Sequence, residues 1–297
     1  MHMSDYRGPD QVRTLRRRPR PVQVVAVASG KGGVGKTSVA VNLGTALAQC
    51  GRSVMLLDAD LGLANIDVLL GLNPVTNLSH VLDGTHTLDE IVVDGPDGLA
   101  IVPASSGISR MTGLSIREQA GIIQAFSEFG RELDYLIVDV AAGISAEVAT
   151  FCSASQQVLV VVCDEPASLT DAYALIKVLS RQYGVSRFQI LSNMVDHATH
   201  GHELFRKLQL VCDRFLDVNL AHLGSIPRDE LVRSAIQRQK PVVSAYPGAP
   251  ASRAFKKLAQ SADNLPVPAG NSGRIEFFVE RLVGAGVTPA MAVGLGD

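Results

Sequence analysis

Ala28-Ser29-Gly30-Lys31-Gly32-Gly33-Val34-Gly35-Lys36-Thr37 fits the phosphate-binding loop pattern G-x-x-x-x-G-K-[ST], with Gly30 first, Gly35 and Lys36 near the end and Thr37 as the hydroxyl. Each residue type has a physical task. Gly30, Gly32, Gly33 and Gly35 let the backbone turn through conformations closed to other residues. Its N–H groups, with those of Val34, Lys36, Thr37 and Ser38, can then close on an anion. Lys36 is expected to carry its ammonium to the outer phosphates, and Thr37 to supply an oxygen to Mg²⁺. An apolar run, Val22 to Val27, precedes the loop, and a helical pattern from Thr37 to Gln49 follows it. The loop therefore stands at a helix N-terminus, where the dipole and the free N–H groups favour phosphate. A glycine-rich turn matching by chance would not require strand, loop and helix in this order.

Working outward, short apolar runs at Val54–Leu57, Leu99–Val102, Tyr135–Val138, Val158–Val162, Phe188–Leu191 and Leu223–Ile226 read as strands buried on both faces. Helical periods fall between most of them, at Arg117 to Phe129, Leu169 to Gln182 and His202 to Phe215. The alternation predicts one α/β domain over residues 21–264, a mostly parallel central sheet with helices on both faces, and with the phosphate-binding loop after its first strand the expected fold is that of a P-loop NTPase. Asp58-Ala59-Asp60 ends the second strand, so both acids are expected in the crevice beyond the strand ends, beside the loop. Capping of the next helix is the local alternative. Leu136-Ile137-Val138-Asp139 has the form of a Walker B strand, and Asp139 is expected to hold Mg²⁺ through water. Thr37, Asp58, Asp60 and Asp139 are thus the candidate metal residues.

Composition narrows the function classes. The chain has 297 residues and a formal net charge of -2, which argues against a globally basic nucleic-acid binder. The arm over residues 1–20 is locally basic, with Arg13, Arg16, Arg17, Arg18 and Arg20; it suits RNA, anionic lipid, an acidic partner face or a solvated tail. Cys50, Cys152, Cys163 and Cys212 form no C-x-x-C pair, so they read as buried thiols of a cytosolic protein rather than zinc or iron–sulfur ligands. With no signal-type segment and no run near the roughly 18 apolar residues of a span, a cytoplasmic protein is expected. His197, His200 and His202 are irregularly spaced in a turn before a helix, with no acid pair nearby in sequence, and are not read as a metal site.

Gly30-Lys31-Gly32-Gly33-Val34-Gly35-Lys36-Thr37 resembles the deviant Walker A loop of the MinD and ParA class of ATPases. The resemblance implies slow, Mg²⁺-dependent ATP hydrolysis to ADP and phosphate in a nucleotide-sandwich homodimer. There Lys31 reaches the partner subunit's nucleotide and, with Lys36, faces the charge that develops on the transferring phosphoryl group. It further implies that Asp60 orients the attacking water with help from Asn65, that Glu165 reaches the nucleotide sugar across the dimer, and that Asn193 reads adenine. Ile226-Pro227-Arg228-Asp229 is similar to the loop that packs on the base, which adds Pro227, Arg228 and Asp229 to the nucleotide site. Asp171 is implied to serve the effector face, while Ser168 with Asp171 also fits a helix cap. Val140 departs from the class, which has Thr or Ser there, and so removes a hydroxyl.

The two ends refine the resemblance. Asp10-Gln11-Val12-Arg13-Thr14-Leu15-Arg16 is similar to the D-Q-A-x-x-L-R motif of the FlhG/FleN family, MinD-like regulators of flagellar number, with Val12 in place of Ala. In that family the segment docks on the GTPase FlhF, which makes Gln11, Leu15 and Arg16 the implied partner residues. Residues 265–273 read as a linker. Ile275, Phe278, Val279, Leu282 and Val283 recur at helical spacing over 274–283, an amphipathic helix suited to reversible membrane contact or to packing on the core. Residues 284–297 lack a pattern and are expected to be disordered. The resemblance implies an ATP-dependent dimerisation switch acting on FlhF, on the transcription activator FleQ and on flagellar C-ring proteins. Its implied place is the inner face of the cytoplasmic membrane, at the cell pole, with no direct DNA binding. A DNA-partition ATPase and an iron–sulfur carrier are the alternatives of related fold.

Overall fold

The computed structural model describes residues 21–60, 65–103, 116–265 and 275–285, with residues 116–120, 275–277 and 284–285 by backbone only. Eight strands form one sheet: β1 (Gln23–Ser29), β2 (Val54–Ala59), β3 (Val93–Asp94), β4 (Ala100–Val102), β5 (Tyr135–Ala142), β6 (Gln157–Val162), β7 (Arg187–Val195) and β8 (Asn219–Pro227). The earlier helices are α1 (Lys36–Gln49), α2 (Ile66–Leu70), α3 (Leu78–Leu82), α4 (Leu88–Ile91), α5 (Ile116–Ser127) and α6 (Ala146–Ala154). They are followed by α7 (Pro166–Tyr183), α8 (Ala198–Phe215), α9 (Glu230–Gln237), α10 (Val242–Ala245), α11 (Pro250–Asp263) and α12 (Ile275–Ala285).

The strand order is β3-β4-β2-β5-β1-β6-β7-β8, parallel except for the antiparallel β3–β4 pair at one edge. The pleat explains the apolar runs. Along β1, Val24, Ala26 and Ala28 belong to one apolar layer and Val25 and Val27 to the other. The first layer takes residues of α3 to α8 and α12; the second takes residues of α1, α2, α9, α10 and α11. β1 is central, so the loop after it opens at the carboxyl end of the sheet between β5 and β6.

Several expectations change. β8 starts at Asn219, four residues ahead of the apolar run at Leu223; its first half is mostly half-buried and carries Asn219 and His222, so it shows no apolar run. β3, only two residues long, carries no pattern of its own. Val140 is 1% exposed and packs in the first apolar layer with Val138 and Ala59. Cys50 is exposed at the end of α1, whereas Cys152, Cys163 and Cys212 are buried.

The apolar stripe of α12 is the largest change. Phe278, Val279, Leu282 and Val283 are at most 3% exposed and lie in the same cluster as Ile122 and Phe126 of α5 and Phe151 of α6. Arg281 also donates to the Ser153 carbonyl of α6. A stripe of this width meets a matching surface within its own chain, so in this state it faces the core and not a membrane. The Ile275 side chain and residues 266–274, which take in the expected linker after Leu265, lie outside what is described. No helix among the described residues is long and apolar enough to cross a membrane.

Candidate nucleotide site

Strand β1 ends at Ser29, and α1 begins at Lys36 with Gly35 as its N-cap. Gly33 and Gly35 have φ of 82° and 83°, left-handed backbone that favours glycine. Gly30 is required by contact instead: a Cβ there would stand 2.1 Å from the Asp171 carbonyl oxygen of α7. The loop thus rests on the backbone of the helix that carries Asp171.

Two buried acids lie side by side beneath the loop, and one of them meets a lysine. Asp58 and Asp139 are register partners across β2 and β5, and both are at most 1% exposed. The Lys36 Nζ lies 2.9 Å from Asp139 Oδ1, while Asp139 Oδ2 is buried with no hydrogen-bond partner. Burial pushes the Asp139 carboxyl up, against the pull of Lys36 and of Thr37. Burial, with the charge of Asp139 adding to it, pushes Asp58 up to about 7, although its oxygens accept from the N–H groups of Asp60, Asn65 and Ile66. Those bonds make Asp58 an anchor for the start of α2, so the capping alternative describes it too. The orphaned Asp139 oxygen and the Thr37 hydroxyl beside it are hard oxygen donors of the kind a divalent cation takes, whereas the Asp58 oxygens are already engaged by the N–H groups at the start of α2. Leu61–Ala64, between Asp60 and Asn65, lie outside the described residues.

At the exposed rim, Lys31 Nζ lies 2.5 Å from Glu165 Oε2, with side-chain exposures of 39% and 56%. The hydrogen bond and the charge of Glu165 hold the Lys31 ammonium above its ordinary pKa. Glu165 is the N-cap of α7 but makes no side-chain cap, and Pro166 takes the first helical position. The helix therefore starts before Ser168, which does not cap it; the Ser168 hydroxyl instead accepts the Cys163 N–H.

A pocket of about 300 Å³ opens beside the loop, lined by Gly35, Asn193, Met194, Pro227, Arg228 and Arg233 among others. Asn193 Nδ2 donates to the Val34 carbonyl at 2.8 Å, which leaves its Oδ1 and second N–H for a ligand. Asp229 also lines the pocket, but its two oxygens accept from the Leu231 and Ala251 N–H groups and so join α9 to α11. Met194, with φ of 55°, and Arg233 were not anticipated. Arg233 falls four residues after Asp229 on an amphipathic helix, a spacing that could have marked it.

His200 differs from its sequence reading. Its Nε2 lies 3.0 Å from Asp164 and its Nδ1 3.8 Å from Asp196, because adjacent strands β6 and β7 end side by side. Among the described residues no group of three or more His, Cys, Asp or Glu could hold a metal ion. Gln11, Leu15 and Arg16 lie outside the described residues.

Comparison with known proteins agrees with this geometry. The family described as ParA, NUBPL iron-transfer P-loop NTPase, matches residues 21–262. The chain is 57% identical over 263 residues to antiactivator FleN of Pseudomonas aeruginosa, covering 89% of this chain and 94% of that protein. It is 33% identical over 238 residues to the flagellum site-determining protein YlxH of Helicobacter pylori, covering 79% and 80%. Among solved structures, the septum site-determining protein MinD of Pyrococcus horikoshii, complexed with Mg-ADP, is 25% identical with a TM-score of 0.63, covering 82% of this chain and 96% of that one. The eight-stranded sheet, the phosphate loop and these likenesses together make the chain a member of the ParA/MinD family of P-loop NTPases.

Proposed function

We propose that the protein is an ATP-dependent dimerisation switch that sets flagellar number. The observation that carries this reading is the division between the two loop lysines: Lys36 is buried against Asp139 in its own site, whereas Lys31 stands at the rim. In its own site the chain's residues bind and orient. The loop N–H groups and Lys36 hold the phosphates, Asn193 and the Pro227–Arg228 turn hold the base, and Asp60 with Asn65 aligns a water for in-line attack. Mg²⁺, held by Thr37 and Asp139, would neutralise charge on the outer phosphates. Lys31 and Glu165 exchange each other for a second copy, Lys31 for its phosphates and Glu165 for its sugar. Slow hydrolysis then sets how long the dimer lasts.

The likeness to FleN and YlxH supports the flagellar context. Within it, the arm at Gln11, Leu15 and Arg16 engages FlhF, Asp171 lies on an effector face, and FleQ and C-ring proteins are further partners. Membrane contact at the pole requires α12 to leave the core. Each apolar side chain so exposed costs about 1.5–3 kcal/mol until lipid covers it, so release and lipid insertion are coupled. Deleting residues 273–297 is expected to abolish co-sedimentation with anionic vesicles in ATP; equal sedimentation would return α12 to the core permanently. The reading as a whole is tested by pull-downs of FlhF and FleQ in ATP and in ADP, with flagellar counts in a deletion strain. Nucleotide-dependent capture and altered counts are expected. Unaltered counts, with salt-dependent capture of non-specific DNA in ATP, would favour a partition ATPase.

A further inference from the structure

The sheet ends differently on its two sides. β3 is two residues long, whereas β8 has nine and among the described residues pairs with β7 alone. An edge strand leaves a row of backbone N–H and C=O groups without sheet partners. Along β8, α8 and α11 stand on either side and bound a groove of about 520 Å³, within the range of roughly 300–1,000 Å³ that holds small ligands. A register shift opposite Ile190 and Leu191 leaves Leu223 as an extra residue in the strand. Such a bulge interrupts the edge, so the groove suits a short segment rather than a full added strand.

The lining carries one full charge, that of Lys257, beside two imidazoles; burial and the neighbouring His202 hold the His222 ring below its ordinary pKa, so it offers hydrogen bonds more than charge. His202, His222 and Lys257 face the groove with Ser225, and no Asp or Glu is among its described lining residues, in a chain whose net charge is -2. The imidazoles are positioned, not loose: His222 Nδ1 lies 3.4 Å from His202 Nδ1 and Nε2 lies 3.3 Å from Ser225 Oγ. The His222 ring also stacks on Phe205, with centroids 5.2 Å apart. Leu258 and Pro227 add apolar surface, and Pro227 also lines the base-side pocket of the nucleotide site.

We propose that this groove docks a short extended segment of a partner protein, an acidic side chain flanked by apolar ones, laid along the free edge of β8. Main-chain hydrogen bonds to the edge supply affinity, and seating of the carboxylate among His202, His222 and Lys257 supplies specificity. Because Pro227 is shared, an occupant of the groove bears on the wall of the nucleotide pocket. The inference does not depend on which flagellar partner the protein serves.

The test is selection of a phage-displayed library of random heptapeptides on the full chain, followed by calorimetry with the best sequences as synthetic peptides with blocked ends. Peptides with Asp or Glu between apolar residues are expected. Lys257 is exposed, so Lys257→Glu should fold as the wild type does and bind such peptides about fivefold or more weakly. Lys256→Glu changes a neighbouring charge outside the lining and should leave binding unaltered. No enriched sequence, enriched peptides without acids, or equal loss in both variants would each overturn the proposal. So would edge-to-edge pairing of two copies of the chain, seen as a nucleotide-free dimer that Lys257→Glu dissociates.

Discussion

The loop holds two lysines five residues apart, and the protein treats them in opposite ways. Lys36 and Asp139 form a pair with exposures of 8% and 0%; Lys31 and Glu165 form one with exposures of 39% and 56%. The buried pair cannot let go without leaving a charge in a dry site, so it is fixed until a ligand of matching charge replaces one member. The exposed pair is worth little to the fold, because water and salt screen it, and can be traded for contacts on another molecule. In the proposed switch one loop would thus separate holding a ligand from sensing a second copy.

The sharpest way to break this contrast is Lys36→Ala. Turnover should fall at least about 100-fold, as for loss of a charge-stabilising donor, and urea unfolding of the nucleotide-free protein should show a loss of about 3 kcal/mol. Wild-type turnover would mean that the buried lysine is structural only. Next in size is a pH effect on the same buried cluster. Asp58 has its carboxyl at about 7 in the fold against an ordinary 3.8. A carboxyl raised by folding gives stability that is complete below the unfolded value and is lost as pH rises through the folded one. In EDTA, between pH 5 and pH 8, the wild type should lose about 2–3 kcal/mol relative to Asp58→Asn. Parallel curves for the two proteins would place Asp58 in a wetter site. The smallest effect is expected at the rim: Glu165→Gln should leave the urea midpoint indistinguishable from wild type. A clear destabilisation there would make the exposed pair part of the fold.

How much of this was legible follows the distance over which each feature is encoded. The phosphate loop is local: its glycines, Lys36 and Thr37 sit in one stretch bounded by an apolar strand and a helix. Asp58 and Asp139 were also readable, since each ends an apolar strand, but their side-by-side register needed the sheet. The pairing of Lys31 with Glu165 joins residues 134 apart in sequence, and no spacing rule gives it. His200 looked isolated because Asp164 arrives from the neighbouring strand. Ser168 was misplaced as a cap because Pro166, at the first helical position, starts α7 earlier. For α12 the limit is physical: an apolar stripe fits lipid or protein equally well, and only the packing against α5 and α6 chooses between them.

Everything in the proposed switch depends on Lys31 acting on a second copy, and light scattering of Lys31→Ala with ATP and Mg²⁺, beside equilibrium nucleotide binding, tests that directly. The account predicts that the variant binds ATP as the wild type does yet stays monomeric where the wild type dimerises. A Lys31→Ala dimer of wild-type mass and affinity would contradict it.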